Sequence, residues 1–303
     1  MINQLKMDSM NIVFGCDKGY LPHLAVAIRS LIVHHDTPLT IYLLHTEIDD
    51  ADWANLVSLD TEKKHQFVNC KVNAAELNKL ATKGQFTTAM YYRLLIEALL
   101  PCDKALYIDS DVVINQNLSA LWHMPLGDYH IAAVEEPTFS GEYLGMQVGA
   151  KYFNSGVMLM NLKHWREDAI SKQVIEYIRE KDKSLVWPDQ CALNAVINGR
   201  WLALNPSYNM QTNIFVMDAA ARQKRYPFAD LDEALRNPAI VHFTGYSKPW
   251  HLLNEHPFKK LYWHYLRQTP YKRLFATDIS VKKLGLWCLP KAIRTYLQKK
   301  LKT

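Results

Sequence analysis

Residues 104–114 read KALYIDSDVVI, an apolar stretch interrupted by Asp109, Ser110 and Asp111. Successive side chains of an extended segment point to opposite faces, so the two carboxylates share one face and Ser110 takes the other. Two carboxylates held that close repel each other, and one takes up a proton unless a cation lies between them. An Asp-x-Asp motif alone fits a solvated surface turn better. Bare carboxylates flanked by apolar residues need a partner, however, so the position of the motif after Tyr107 and Ile108 favours a divalent metal site.

Strand-like and helix-like stretches alternate on the N-terminal side of this motif. The strand-like stretches cover 11–16, 39–45, 65–72 and 104–109, and the helix-like stretches cover 21–35, 49–60 and 87–100. This order predicts an α/β fold with a mostly parallel sheet covered by helices. Ligands of such sheets bind beyond the carboxyl ends of the strands, where residues 16–20 and the Asp109/Asp111 pair are expected.

The second half of the chain is less regular. It contains an apolar stretch at 152–162, predicted helices near 167–180 and 188–199, and an apolar strand at 239–243. The 303 residues, 49% of them hydrophobic, suffice for one large α/β domain or two smaller ones. Because we find no linker, we expect one domain at 1–280 followed by a tail at 281–303.

Composition also predicts the compartment. The five cysteines are widely spaced and form no C-x-x-C pair, which is typical of reduced thiols in a cytosolic protein. The N-terminus does not read as a secretory signal, and no apolar run approaches the roughly 20 residues needed to cross a bilayer. We therefore expect a cytoplasmic protein that is soluble or attached to a membrane only at its surface.

The charge of the chain is concentrated in its tail. Residues 281–303 hold seven Lys or Arg and no Asp or Glu, so a net charge of +5 leaves −2 for residues 1–280. A mildly acidic body does not fit a nucleic-acid-binding protein. Pro290 should divide the tail into two short helices, and apolar residues every fourth position from Ile293 predict an interfacial helix at anionic lipid. A helix docked on the domain and a frayed end are the alternatives.

A second polar cluster follows the apolar strand at 239–243. His242 lies within that strand, and Gly245 and Lys248 come shortly after it. A lone histidine in a strand is more often a core residue, but a histidine, a glycine that permits close backbone approach and a fixed positive charge together predict a diphosphate site. Carboxylate ligands suit Mg²⁺ or Mn²⁺, and a histidine shifts the preference toward Mn²⁺. Tyr246 and Trp250 either stack on a sugar or pack.

Five motifs in order along the chain resemble glycosyltransferase family 8. They are YYRLLI (91–96), LYIDSDVV (106–113), FNSGVMLMNL (153–162), PDQCALN (188–194) and HFTGYSKPW (242–250). The resemblance covers residues 11–265 and implies a retaining enzyme of GT-A type, Rossmann-like fold that uses UDP-hexoses. The most similar group comprises bacterial galactosyl- and glucosyltransferases that extend the lipopolysaccharide or lipooligosaccharide core.

The resemblance also implies which parts of the chain bind the donor and the acceptor. Nucleotide-sugar binding falls mainly in 11–114, and donor and acceptor contacts fall mainly in 130–265. The acceptor would be a saccharide hydroxyl on a lipid-linked molecule, which places the enzyme at the inner face of the cytoplasmic membrane through its tail. Whether the donor is UDP-galactose or UDP-glucose stays open.

Carried over residue by residue, the resemblance implies that Asp109, Asp111 and His242 bind Mn²⁺, with Mg²⁺ as a possible substitute. Asp189 and Gln190 are the implied catalytic residues, with Gln190 beneath the anomeric carbon. The implied donor-binding residues are Gly15, Cys16, Asp17, Gly19, Tyr20, Arg93, Asp109, Ser110, Asn154, Ser155, Gly245 and Lys248. Two positions depart from the family pattern, because Gly19 stands where a family member has Asn and Ser155 replaces a commoner Ala.

Each implied residue also has a plain structural interpretation. Arg93 could be a surface cation, Asn154 a turn residue and Gln190 a polar group at a helix start. For the chemistry, a front-face retaining route is favoured because Gln190 is no strong nucleophile, and a covalent route through Asp189 is the variant.

Two other functions fit parts of the sequence. IDSDVV matches the D-x-D-x-[TV] signature of aspartyl-phosphate phosphohydrolases with Asp109 as nucleophile, although that signature normally ends the first strand. A non-catalytic module that binds sugar nucleotides or glycans is the second alternative.

Overall fold

A seven-stranded sheet lies at the centre of the computed structural model, which describes residues 9–80, 82, 87–181, 184–290 and 293–294. The strands are β1 (Met10–Gly15), β2 (Leu39–His45), β3 (Gln66–Lys71), β4 (Lys104–Ile108), β5 (Val112–Ile114), β6 (Ile131–Glu135), β7 (Phe153–Asn161), β8 (Trp201–Ala203), β9 (Met210–Gln211) and β10 (Ile240–His242).

The α-helices are α1 (Leu21–Val33), α2 (Asp50–Val57), α3 (Ile96–Leu99), α4 (Ser119–Trp122), α5 (Leu162–Glu167), α6 (Ile170–Lys181), α7 (Pro188–Ile197), α8 (Thr212–Val216), α9 (Ala219–Arg225), α10 (Leu231–Arg236), α11 (Lys259–Leu266) and α12 (Val281–Trp287). Short 3-10 helices cover Lys18–Tyr20, Leu77–Lys79, Thr88–Leu95, Glu142–Leu144 and Pro206–Asn209.

The strand order of the large sheet is β3-β2-β1-β4-β7-β6-β8. Among the described residues of this sheet, only β7 runs antiparallel to its neighbours, β4 and β6, and the other pairings within the sheet are parallel. The predicted mostly parallel sheet is therefore confirmed. Since β1 pairs with β2 on one side and β4 on the other, the chain changes direction across the sheet at β1. The carboxyl ends of β1 and β4 lie side by side at this switch point, where α/β proteins bind ligands.

The central strands of the large sheet are buried on both faces. Ile12 and Phe14 of β1 pack into one apolar cluster with α1 and α2, whereas Val13 packs into a second cluster with α6 and α7. This alternation follows from the two-residue period of a strand, and a strand covered on both faces is apolar along its whole length.

A second, three-stranded sheet has the order β5-β10-β9. The chain leaves the large sheet after β4, passes through Asp109–Asp111 and enters β5. Strand β5 pairs antiparallel with β10, which sets His242 opposite Val112. The backbone N–H of Phe243 donates to the carbonyl of Asp111 over 3.0 Å. The pairing of β5 with β10 thus brings His242 next to the acidic motif.

The helix predicted at 87–100 is partly wrong. Residues Thr88–Leu95 form a 3-10 helix and only α3 is α-helical. Four successive residues, Tyr91 to Leu94, are buried, so this segment has no solvated face of the kind that an amphipathic α-helix presents.

Part of the tail is described. Helix α12 begins after Ser280, whose hydroxyl accepts a hydrogen bond from the Lys283 N–H, and it leaves Val281 and Trp287 exposed. The second helix predicted after Pro290 falls almost entirely outside the described residues. Among the helices that are described, none combines the length and apolarity needed to cross a bilayer.

Candidate active site

Two acidic side chains and one imidazole meet where the two sheets join. Asp109 and Asp111 lie between β4 and β5, and His242 ends β10. The Nε2 atom of His242 is 3.2 Å from Oδ1 of Asp111 and 3.9 Å from Oδ2 of Asp109. One ligand atom from each residue lies within 4.8 Å of the other two. The family resemblance implied this meeting, although His242 is remote from the acidic pair along the chain.

The three side chains suit one divalent cation. Two ligand atoms about 2.1 Å from a Mg²⁺-sized ion lie at most about 4.2 Å apart, so separations of 3.2 and 3.9 Å are compatible with a shared ion. Gly156 keeps the space between them open. A Cβ atom at this position would lie 2.6 Å from Oδ2 of Asp109 and would collide with the His242 ring. Gly156 was not singled out in the sequence, although it lies within the motif FNSGVMLMNL.

Each carboxylate has a second partner. Burial acts to raise the pKa of Asp111, but the ammonium of Lys248 and the His242 ring outweigh it and hold that pKa below its usual range. Lys248 Nζ lies 2.5 Å from Oδ2 of Asp111 and donates to the Phe243 carbonyl over 2.7 Å. Oδ1 of Asp109 accepts hydrogen bonds from Arg93 and Tyr107, which leaves Oδ2 facing His242.

Arg93 is a buried ion-pair residue, so its interpretation as a surface cation is wrong. Only 5% of the residue is exposed. Its Nη1 donates to the carbonyl and hydroxyl oxygens of Ser155 over 2.8 and 2.7 Å, and its Nη2 donates to Asp109 over 2.8 Å. Its Nε lies 3.3 Å from Oδ2 of Asp189. Arg93 therefore connects the metal-site carboxylate to the start of α7.

Replacing Arg93 with Ala is expected to destabilise the protein by about 3–5 kcal/mol, because it leaves the buried carboxylate of Asp189 and the partly buried carboxylate of Asp109 without this cation. Urea unfolding measures this loss. Arg236→Ala is the matched control, since Arg236 pairs with Glu233 on the surface with both side chains more than half exposed. Equal effects of the two substitutions would contradict the structural role of Arg93.

The side chains on β7 and α7 are also held in place. Oε1 of Gln190 accepts the backbone N–H of Ser155 over 3.0 Å, and Gln190 is 8% exposed. Burial raises the pKa of Asp189 against the opposing effect of Arg93. Neither side chain is a freely mobile nucleophile, which matters for the chemistry below.

The residues at the end of β1 lie across the site from those of β7 and α7 and form its opposite wall. Asp17 accepts the Tyr20 backbone N–H over 3.1 Å and the Thr87 hydroxyl over 2.8 Å. The Ser110 hydroxyl donates to the Gly15 carbonyl over 3.1 Å and so joins β1 to the acidic motif. The Cys16 thiol turns into the core, where burial raises its pKa.

A cavity of about 300 Å³ lies between these walls. Every residue implied by the resemblance lines it except Gly19, which lies in the 3-10 helix Lys18–Tyr20 beside Asp17. Several further lining residues were not singled out in the sequence, although Tyr107 and Thr244 lie within two of the quoted motifs. These further residues are Thr87, Ala89, Met90, Tyr107, Glu136, Trp187, Asn213 and Thr244. The roles of the implied residues remain predictions, but the fold collects them at one site.

The two aromatic residues that the sequence left undecided have different surroundings. Trp250 is 5% exposed and stacks on His23 with ring centroids 3.4 Å apart, so it packs and fixes the segment that carries Lys248 to α1. Burial lowers the pKa of His23 to about 3, which keeps this ring neutral. Tyr246 is 77% exposed at the rim of the cavity.

Comparison with known proteins places this site in a family. The sequence profile of glycosyl transferase family 8 matches residues 11–254. General stress protein A of Bacillus subtilis (strain 168) is 31% identical over 272 residues, which cover 85% of this chain and 93% of the relative. The lipopolysaccharide 1,2-glucosyltransferase of Escherichia coli (strain K12) is 26% identical over 264 residues, covering 84% of this chain and 77% of the relative.

A solved structure shares the fold. The crystal structure of the galactosyltransferase LgtC in complex with donor and acceptor sugar analogues superposes with a TM-score of 0.76 at 25% identity, over 91% of this chain and 99% of that one. The phosphohydrolase signature normally ends the first strand, whereas Asp109 follows β4 in the middle of the sheet, which disfavours that alternative. This chain belongs to glycosyltransferase family 8 and is a glycosyltransferase with a GT-A fold.

Proposed function

We propose that this enzyme is a retaining hexosyltransferase that moves galactose or glucose from a UDP-sugar to a saccharide hydroxyl, with Mn²⁺ as its cation and Mg²⁺ as a possible substitute. The observation that carries the proposal is the convergence of Asp109, Asp111 and His242 beside Lys248 at the cavity between β1 and β4. The names of the E. coli glucosyltransferase and of LgtC support hexose transfer.

The nucleotide would lie at the β1 wall. Gly15, Cys16, Asp17 and Tyr20 would hold the uridine, with the Asp17 carboxylate on the base and Cys16 contributing through its backbone. The hydrogen bond from Ser110 to the Gly15 carbonyl fixes this wall against the acidic motif. Gly19 is left out of this proposal because it does not line the cavity.

The diphosphate would lie between the cation and Lys248. Gly245 has a φ of +82°, a left-handed conformation that favours glycine and lets the backbone approach a phosphate closely. Lys248 lines the cavity, where its ammonium contacts Asp111 and the Phe243 carbonyl, and it would donate to a phosphate oxygen. When bound, the divalent cation supplies positive charge that stabilises the leaving diphosphate.

The donor sugar would lie over β7 and the start of α7. Asn154, Ser155 and Asp189 would contact its hydroxyls, and Gln190 would lie beneath the anomeric carbon. Since all three nitrogens of the Arg93 guanidinium already contact protein oxygens, we propose that Arg93 acts mainly by holding Asp189 and Ser155 in position.

The reaction we propose takes place on one face of the sugar. The bond between the anomeric carbon and the β-phosphate oxygen breaks, and a bond from the acceptor oxygen to the same face of that carbon forms. The acceptor hydroxyl proton passes to the departing phosphate oxygen, so UDP leaves with the proton. The amide oxygen of Gln190 would stabilise the positive charge on the carbon. Asp189, paired with Arg93 at 3.3 Å, is the less suitable covalent nucleophile.

The tail would attach the enzyme to a membrane. We propose that residues 1–280 form the catalytic domain and that 281–303 bind anionic lipid at the inner face of the cytoplasmic membrane, near a lipid-linked acceptor such as the lipopolysaccharide core. Val281, Leu284 and Trp287 of α12 are 89%, 42% and 55% exposed, which supports an apolar surface available to lipid.

Truncation after residue 280 is expected to reduce binding to phosphatidylglycerol vesicles while leaving donor hydrolysis unchanged, because the cavity residues all precede the tail. Vesicle sedimentation measures the binding, with pure phosphatidylcholine vesicles as the control. Leu284→Ser with Trp287→Ser in the full chain should weaken binding in the same direction. Equal sedimentation of all three proteins would refute the proposed membrane role.

The hexosyltransferase proposal is tested with a panel of UDP-sugars in Mn²⁺ and in EDTA. We expect UDP release from UDP-galactose or UDP-glucose in Mn²⁺ only, with water as a slow acceptor, and retention of the anomeric configuration by NMR. UDP release that is unaffected by EDTA, or release of inorganic phosphate from phosphoesters without sugar transfer, would contradict the proposal.

A further inference from the structure

Asn209 is a fully buried amide that lies between the candidate metal site and the candidate sugar site. It ends the 3-10 helix Pro206–Asn209, and its relative exposure is 0%. The next residues form β9, which pairs parallel with β10 and sets Gln211 opposite His242. This pairing places the Asn209 side chain beside the His242 ring.

The hydrogen-bond pattern allows only one orientation for the side-chain amides of Asn154 and Asn209. The backbone N–H of Gly156 can only donate, and it donates to Oδ1 of Asn154 over 3.0 Å. The amide nitrogen of Asn154 therefore faces Oε2 of Glu136, 3.3 Å away. Because Oδ1 of Asn154 is an acceptor, the Asn209 group 2.9 Å from it must be its NH₂.

This orientation decides the tautomer of His242. With its NH₂ facing Asn154, Asn209 presents Oδ1 to Nδ1 of His242 at 2.8 Å. An amide oxygen only accepts, so Nδ1 carries a proton, and in the neutral imidazole Nε2 is then the nitrogen with the lone pair. Nε2 is the atom that faces Asp109 and Asp111. These hydrogen bonds therefore connect a backbone N–H of β7 to the imidazole through the side chains of Asn154 and Asn209.

We infer that Asn209 is a positioning residue that fixes His242 in the tautomer and orientation needed to bind a divalent cation, and that it couples this ligand to Asn154. The inference rests on the proposed role of His242 as a metal ligand. Hydrogen bonds from the second nitrogen of a metal-binding histidine commonly change metal affinity by 10- to 100-fold, a magnitude we take as about the effect expected here.

The test compares Asn209→Ala, Asn209→Asp and the control Asn115→Ala in the full chain. Asn115 makes its amide hydrogen bonds to Asn237 and Pro238, away from the cavity, so its loss should leave metal binding unchanged. Two readouts are used: the imidazole tautomer by ¹⁵N NMR of the metal-free protein at about pH 8.5, where an ordinary histidine is neutral, and the affinity for Mn²⁺ alone by EPR of the free ion.

Asn209→Ala is expected to lose the preference for Nδ1–H and to bind Mn²⁺ about 10- to 100-fold more weakly. Asn209→Asp keeps an acceptor at Nδ1 but places an oxygen where the NH₂ faced Asn154, so it should retain the tautomer while losing the link to Asn154. Its tautomer tests the inference even if Asn209→Ala fails to fold. Loss of the tautomer in Asn209→Asp, or an unchanged tautomer and affinity in a folded Asn209→Ala, would overturn the inference.

The experiment distinguishes failure of the proposed metal site from failure of the positioning role of Asn209. If wild type does not bind Mn²⁺, or His242→Ala binds it as tightly as wild type, the metal site itself is wrong. If Mn²⁺ binding requires His242 but neither the tautomer nor the affinity responds to Asn209→Ala, only the positioning role is wrong.

Discussion

Asp111→Ala is expected to lower Mn²⁺-dependent hydrolysis of the UDP-sugar by at least about 10³-fold, and Asp109→Ala at least as much. A metal ion supplies several kcal/mol of transition-state stabilisation, and each ~1.4 kcal/mol corresponds to a factor of ten. Both carboxylates face the His242 imidazole, so each variant removes one of the three ligand atoms that would hold the cation. Steady-state UDP release with and without EDTA measures the effect.

Both variants should also lose stability, because Asp111→Ala leaves the buried ammonium of Lys248 without its carboxylate. Asp109→Ala also removes the acceptor of Arg93 and Tyr107, so it should lower the unfolding midpoint, whereas Asp109→Asn keeps an oxygen for these donors. Exposed Asp128 provides the control, because its removal should change neither stability nor metal dependence. Hydrolysis that persists in Asp111→Ala and still requires Mn²⁺ would show that the cation binds elsewhere.

Gly156→Ala is expected to abolish donor hydrolysis at Mn²⁺ concentrations that saturate wild type. The added methyl group would lie 2.6 Å from Oδ2 of Asp109 and would collide with the His242 ring, and Gly156 lies in a strand that is buried along its length. A close-packed interior cannot absorb such an overlap without moving one of the metal ligands. Isothermal titration with Mn²⁺ should show the loss of affinity directly.

Gly285→Ala is the matched control for this substitution. Gly285 lies in α12 with no heavy atom within 4 Å of an added Cβ, so the variant should hydrolyse the donor like wild type. Wild-type Mn²⁺ affinity in Gly156→Ala would mean that the ring and the carboxylate do not meet at this position when the metal is bound.

Local sequence signals predict the first half of the fold well. The spacing of apolar residues in 21–35 and 39–45 predicts α1 and β2, and the parallel sheet follows from the alternation of such segments. The same alternation locates Asp109 at a carboxyl end. What it cannot give is the strand order, because the adjacency of β1 and β4 depends on packing between segments distant along the chain.

Which residues meet at the site depends on pairing between distant strands even more than the fold does. His242 reaches Asp111 only through the pairing of β5 with β10, and Asn209 reaches His242 only through β9. The burial of Arg93 could not be predicted from its own segment, because Asp109, Ser155 and Asp189 that stabilise it lie elsewhere in the sequence. Motif resemblance identified most of these residues, but not Gly156 or Asn209, which act through neighbours.

The most direct test is pulsed EPR of Mn²⁺ bound to ¹⁵N-histidine-labelled protein together with UDP. We predict two hyperfine couplings to the ion, one from ³¹P of the diphosphate and one from an imidazole ¹⁵N, and we predict that His242→Ala removes the second. A bound Mn²⁺ that shows the ³¹P coupling without any imidazole coupling in the wild-type protein would contradict the assignment of His242, Asp109 and Asp111 as one metal site.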